Sequence, residues 1–170
     1  MDLLTHGSVG LIAMSIAPKA PVWALVTATA VPDLLLLGFQ AVGIDHQAIS
    51  QLSADPGLQN LIPPSRYLSH GLFMCIVWSV VVMAIAFLFS RDRRTSGVIG
   101  LLVLSHWVLD FVFYPNMPLL FGNSPTIGLG LISSQLGYIA GVILETGIIA
   151  GGVLTYFCRY RAINFPEGGI

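Results

Sequence analysis

From Leu68 to Phe89 the chain runs without a single Asp, Glu, Lys or Arg. About twenty predominantly apolar residues are what an α-helix needs to cross the hydrocarbon core of a bilayer. There the backbone has no water to bond to, and a helix satisfies its own N–H and C=O groups. Three more runs have the same character: Val22 to Val42, about Ser96 to Phe113, and Gln135 to Phe157. A fifth, Leu3 to Ala17, is apolar and helical in period but short, so it is expected to be tilted or only partly inserted. Charged residues make up 9% of the chain, against about 25% in a soluble domain. The expected fold is all-α: a polytopic membrane helix bundle of about five transmembrane helices, with residues 1–170 as a single integral-membrane domain. A net charge of −1 gives no reason to expect nucleic acid as a partner.

Breaks in the apolar pattern divide the chain. Pro18 and Pro21 separate the first two helices. Gly43 to Tyr67 is a polar loop with Asp45, His46, Asp55 and Pro63-Pro64. Arg91, Arg93 and Arg94 form a tight basic turn. Tyr114 to Ser134 is rich in Pro, Gly and Asn yet carries Leu, Phe and Ile, and is expected at the lipid surface. Asp2 is placed to cap the first helix, and it stands where a cleavable signal would be basic. Cys75 and Cys158 lie toward opposite ends of two predicted helices and are not expected to pair. Gly7 and Gly10 allow close helix approach, and Gly137, Gly141 and Glu145 share one face of the last span. Lys19, the Arg91–Arg94 turn and the Arg159/Arg161 tail fall on one side of a five-span topology. The positive-inside rule then puts the N-terminus outside and the C-terminus in the cytoplasm of a multi-pass plasma (inner) membrane protein.

Within these spans sit side chains that hydrocarbon does not welcome. His106 and Asp110 are four apart and share a helix face; an Asp at a helix centre costs about 2.5–3.5 kcal/mol on insertion scales. Asp33 follows Pro32 inside the second span, where proline bends the axis. At 1.5 Å per residue from the outer helix ends, His70 is about 3 Å deep, His6 and Asp110 about 5 Å, His106 about 10 Å and Asp33 about 13 Å. Five polar groups from four helices therefore share the outer half of the bundle, with Glu145 deeper, at about 15 Å.

Each of these groups alone is explained by a hydrogen bond to a neighbouring helix. Together, three imidazoles and two carboxylates with no Lys or Arg in the spans leave negative charge uncompensated. A divalent cation would compensate it. His/Asp ligation suits zinc, and also iron or manganese. His6, Asp33, His70, His106 and Asp110 are the candidate metal ligands. Glu145 is open among a proton donor, a second-metal ligand and a neutral acid against the glycine face. His46 is expected to be an ordinary loop histidine, and Trp23, Trp78 and Trp107 to face lipid or pack. Leu68-Ser69-His70 and Leu104-Ser105-His106 echo each other, but three residues do not make a repeat.

Thr5-His6, Pro32-Asp33, Arg66…Ser69-His70 and His106-x-x-x-Asp110 resemble a family of small inner-membrane proteins described as metal-dependent hydrolases. The order His, Asp, His, His-x-x-x-Asp and a late Glu is also similar to the zinc-dependent phospholipase C type of site. That resemblance implies one metal held by Asp33, His70, His106 and Asp110, with Asp110 bridging to a second held by His6. Two departures, Ser65 and Gly141 where His is usual, speak against a full two- or three-metal site. The expected function is hydrolysis of a lipid-linked or phosphate ester at the outer leaflet, with zinc as cofactor and membrane lipid as partner. His6, as a further ligand or general base, and Asp110 are the residues expected to take part in catalysis. The alternative is a non-enzymatic accessory subunit or an ion- or proton-binding membrane protein.

Overall fold

The computed structural model describes residues 3–45, 63–121 and 124–164. Asp2, His46 and Asp55 lie outside the described residues. The chain is an all-α bundle. Helix α1 (Leu3–Ile12) continues into a 3-10 turn (Ala13–Ser15) and is followed by α2 (Val22–Ala41), α3 (Pro64–His70), α4 (Leu72–Ser90), α5 (Arg93–Phe113) and α6 (Gln135–Asn164). Between α5 and α6, two-residue strands Met117–Pro118 and Thr126–Ile127 pair antiparallel. Helices α2, α4, α5 and α6 are long and apolar enough to cross a membrane, and Leu3–Ser15 is a shorter apolar helix.

Helix α5 is the axis of the bundle. It packs against α2 and α4 and touches α1. Half of its most apolar stretch is buried, against 6% for α4, so α4 presents most of its side chains outward. The core at its middle joins Met14, Leu25, Ala28, Ile99, Leu102 and Val103. Two glycines set the tightest crossings of α1. A Cβ on Gly10 would stand 2.7 Å from Leu25 O and 2.9 Å from Val26 Cα; one on Gly152 would stand 2.7 Å from Ser8 O. The closest small-residue contact of α6 with another helix is thus at Gly152, against α1. A Cβ on Gly141 would stand 3.3 Å from both Ile132 and Phe113, and Gly137 meets Leu131 in the preceding turn.

The apolar run from Leu68 to Phe89, expected as one helix with His70 in its first turn, is two helices. His70 ends α3, and Gly71 between them is extended at φ −67°, ψ 137°. The break needs a glycine, because a Cβ there would lie 2.5 Å from Tyr67 O. The connection is anchored from outside, where Phe73 N–H donates to Leu119 O at 3.1 Å. This turn aims His70 inward.

The opposite end of the bundle is basic. Arg91 takes the left-handed conformation at φ 54°, making the tight turn expected there. Asp92 caps α5, its carboxylate accepting from Thr95 N–H at 2.9 Å, and that bonding holds the Asp92 carboxyl below the usual range. The Arg159 guanidinium donates to Met14 O and Pro18 O. Since Ser8 meets Gly152 and Met14 meets Arg159, α1 and α6 run parallel, both toward the basic end. Both cysteines are free, Cys75 buried and Cys158 exposed.

Candidate metal centre

The five expected residues converge. His6 arrives from α1, Asp33 from α2 just after buried Pro32, His70 from the end of α3, and His106 and Asp110 from successive turns of α5. His6 and His106 are each 1% exposed, and His70 and Asp110 are each 6% exposed. Asp33 is the open member, its side chain 36% exposed.

The polar atoms meet at close range. His106 Nε2 lies 3.4 Å from Asp110 Oδ2 and 3.7 Å from Asp33 Oδ1. His70 Nε2 lies 3.3 Å from Asp33 Oδ1 and 3.9 Å from Asp110 Oδ2. His6 Nε2 is 3.4 Å from Asp110 Oδ1. The rings of His6 and His106 stack face to face, 3.8 Å apart and 11° from parallel. Two sets could each hold a metal ion: His6, His106 and Asp110, and Asp33, His70 and His106.

Neighbouring groups fix which nitrogens face inward. His106 Nδ1 is 2.8 Å from Thr29 O, a carbonyl that can only accept, so Nδ1 carries the proton. Thr29 lies in the turn of α2 that Pro32 loosens by removing a backbone donor. The Ser69 hydroxyl donates its one proton to Ser65 O at 2.8 Å, so its oxygen accepts from His70 Nδ1–H, also at 2.8 Å. In the neutral imidazoles Nε2 is therefore the proton-free nitrogen, and both rings turn it into the cluster. These two nitrogens are 3.2 Å apart. Two lone pairs facing each other at that distance repel, and a proton or a cation between them removes the repulsion.

Support continues behind His70. Ser65 N–H and Oγ–H both donate to the buried Asp45 carboxylate, at 2.9 and 2.5 Å. Ser65, where the resemblance would place a histidine, thus ties the start of α3 to Asp45. A chain Asp45–Ser65–Ser69–His70 results. Sequence reasoning named Asp45 only as a loop acid and gave Thr29 and Ser69 no role. The one signal for Ser69 was its place next to His70. Its echo differs, because Ser105 Oγ–H turns back to Leu102 O.

The cluster floors a cavity of about 310 Å³ whose rim includes Gln40, Arg66 and Tyr114. Glu145 is not part of it. It lines a second cavity, with Phe113, Tyr114 and Gly141. Of the tryptophans, Trp107 is buried and stacked on Phe111, Trp78 N–H donates to Leu68 O, and Trp23 is 71% exposed.

A multi-pass bundle of apolar helices closed around a buried His/Asp cluster is the architecture of an integral membrane protein with a polar centre at one end. The chain belongs to the YdjM inner membrane protein family, whose sequence model matches residues 1–163. No curated protein and no solved structure matches it.

Proposed function

We propose that this inner-membrane protein is a metal-dependent hydrolase acting on a lipid-linked or phosphate ester at the outer leaflet. The observation that carries this reading is the pair of Nε2 atoms of His70 and His106, 3.2 Å apart with two carboxylates beside them. Two nitrogen or oxygen donors on one ion at about 2.1 Å stand about 3.4 Å apart at a tetrahedral angle. Among Asp33, His70, His106 and Asp110, three pairs at 3.2–3.4 Å fit that spacing, and two are wider, at 3.7 and 3.9 Å. They exceed the 2.7–2.9 Å, roughly, of a direct charge-assisted N–H···O bond.

Asp33, His70 and His106 would hold the ion, with Asp110 completing the set. His106 has one inward lone pair and can serve one ion only, because its Nδ1–H is held by Thr29 O. That favours a single ion over a pair sharing His106. A divalent cation bound there supplies Lewis acidity at the scissile ester and lowers the pKa of water; zinc suits the donor set, as do iron and manganese. His6, beside Asp110 and stacked on His106, is placed to take the proton from the attacking water. Its Nδ1 has no hydrogen-bond partner among the described residues, and its Nε2 faces the Asp110 carboxylate. Asp110 orients His6.

Orientation follows from charge. Lys19, the Arg91–Arg94 turn and Arg159 mark the end opposite the cluster, and basic ends face the cytoplasm. The cluster then opens to the outer side, and the loop from Tyr114 to Ser134 borders the entry from the membrane plane.

Metal analysis of purified protein tests the reading. The parent is expected to carry stoichiometric divalent metal. His106→Ala should lose both the metal and hydrolytic activity, and Asp110→Asn should weaken binding with the fold intact. A parent that holds no divalent metal, and takes none up on addition, refutes the hydrolase and leaves the accessory-subunit reading in front.

A further inference from the structure

We infer that the two cavities form one site for a phosphate-bearing membrane lipid, with Arg66 holding the anionic headgroup and the groove beside Glu145 holding the hydrocarbon chain. This rests on the reading of the His/Asp cluster as a hydrolytic centre, and it names the substrate class.

Size comes first. The polar cavity, about 310 Å³, is at the small end of ligand sites, which run about 300–1,000 Å³. It has room for a headgroup and not for a lipid chain as well. The second cavity, about 280 Å³, lies alongside, and Tyr114 is a wall of both. Apart from Glu145, Tyr114 and Tyr138 its lining is apolar, with Phe113, Ile132 and Val142. Val142 is 43% exposed on a spanning helix, so the groove opens toward lipid.

Charge comes second. Arg66 lies on α3 at the rim of the polar cavity. Among the described residues it makes no ion pair, and the carboxylates of the cluster are matched with histidines instead. The other Lys and Arg residues of the described segments are at the basic end or on the C-terminal turns of α6. A lone guanidinium over a cavity floored by candidate metal ligands is suited to the second charge of a phosphate, since its planar fork pairs two oxygens at once. An uncharged ester offers it a carbonyl acceptor but no charge to pair.

The test is equilibrium binding to the full chain in dodecyl maltoside micelles, with three probes: short-chain phosphatidic acid, the matching diacylglycerol, and inorganic phosphate. The parent should prefer phosphatidic acid to diacylglycerol. Arg66→Gln should bind phosphatidic acid and inorganic phosphate roughly tenfold to a hundredfold more weakly, the loss expected for a charged hydrogen bond. Arg66→Lys should recover part of that loss. Val142→Trp fills the groove from an exposed position; it should weaken phosphatidic acid and leave inorganic phosphate unchanged. Three results overturn the inference: equal affinity for phosphatidic acid and diacylglycerol, unchanged binding by Arg66→Gln, or unchanged lipid binding by Val142→Trp. Metal content of the same samples is a separate readout. A metal-free parent refutes the hydrolase reading and leaves the binding comparison standing.

Discussion

Ser69→Ala removes one oxygen that touches no candidate ligand atom facing the cluster, yet it should weaken metal binding. In the parent, Ser69 Oγ accepts from His70 Nδ1–H and donates to Ser65 O, each at 2.8 Å in a buried setting. Without it, the His70 proton is free to sit on Nε2, the nitrogen that must be bare to ligate, and the ring loses the contact that fixes its plane. Groups that orient ligating histidines are typically worth 10- to 100-fold, roughly, in metal affinity, or about 1.4–2.7 kcal/mol. The same change leaves Ser65 O and His70 Nδ1 without this partner, so apo-protein stability should fall by about 1–3 kcal/mol. A zinc titration against a competing chelator reads the first quantity, and thermal unfolding in detergent reads the second. If Ser69→Ala binds zinc as tightly as the parent while His70→Ala does not bind it, the tautomer assignment is wrong.

Metal affinity should fall as pH drops through the range where histidine protonates, near 6.5 when unperturbed; protons compete for the same Nε2 lone pairs, so the affinity is held above that range and lost below it. Zinc titrations at several pH values check this, and a flat profile would argue for carboxylate-only binding. Gly152→Ala puts a Cβ within 2.7–3.0 Å of Ser8 backbone and side-chain atoms, and overpacking of that kind costs about 1–3 kcal/mol; detergent unfolding should show it, whereas Gly147→Ala, with nothing within 4 Å, should be near neutral. Single cysteines placed in the Arg91–Arg94 turn should be shielded from an impermeant thiol reagent in intact cells, and ready labelling there would invert the topology and move the site to the cytoplasmic half.

The helices and the five clustered residues were legible because each rests on a local signal. A His four residues before an Asp shares a helix face whatever surrounds it, and depth follows from counting residues along a helix. What failed depends on contacts that sequence spacing does not carry. Hydropathy runs unbroken through Gly71, so the split between α3 and α4 was invisible; it comes from Tyr67 O needing the space a side chain would fill. The Asp45–Ser65 link joins a loop acid to a serine twenty positions away. On α6, glycines at 137, 141, 147, 151 and 152 offer several small-residue faces, and only packing against Ser8 selects Gly152. Arg66 carries no local sign of its place, and only the folded structure sets it in the lining of the same cavity as the cluster.

Helix α1 is short for a membrane span, and it is flanked by the latest-made helix of the bundle. Ser8 needs Gly152, and Met14 and Pro18 receive the Arg159 guanidinium. During synthesis the segment bearing His6 therefore leaves the ribosome first and finds one of its two main neighbours last. Asp33, His70, His106 and Asp110 come from helices that can meet before α6 exists. The nascent chain can thus gather four of its five buried polar groups early, while the histidine proposed to accept a proton is locked in place only after the last span has been inserted. The packing of α1 is thus completed only late in biogenesis, since a chain stalled before Gly152 lacks the helix face that Ser8 meets.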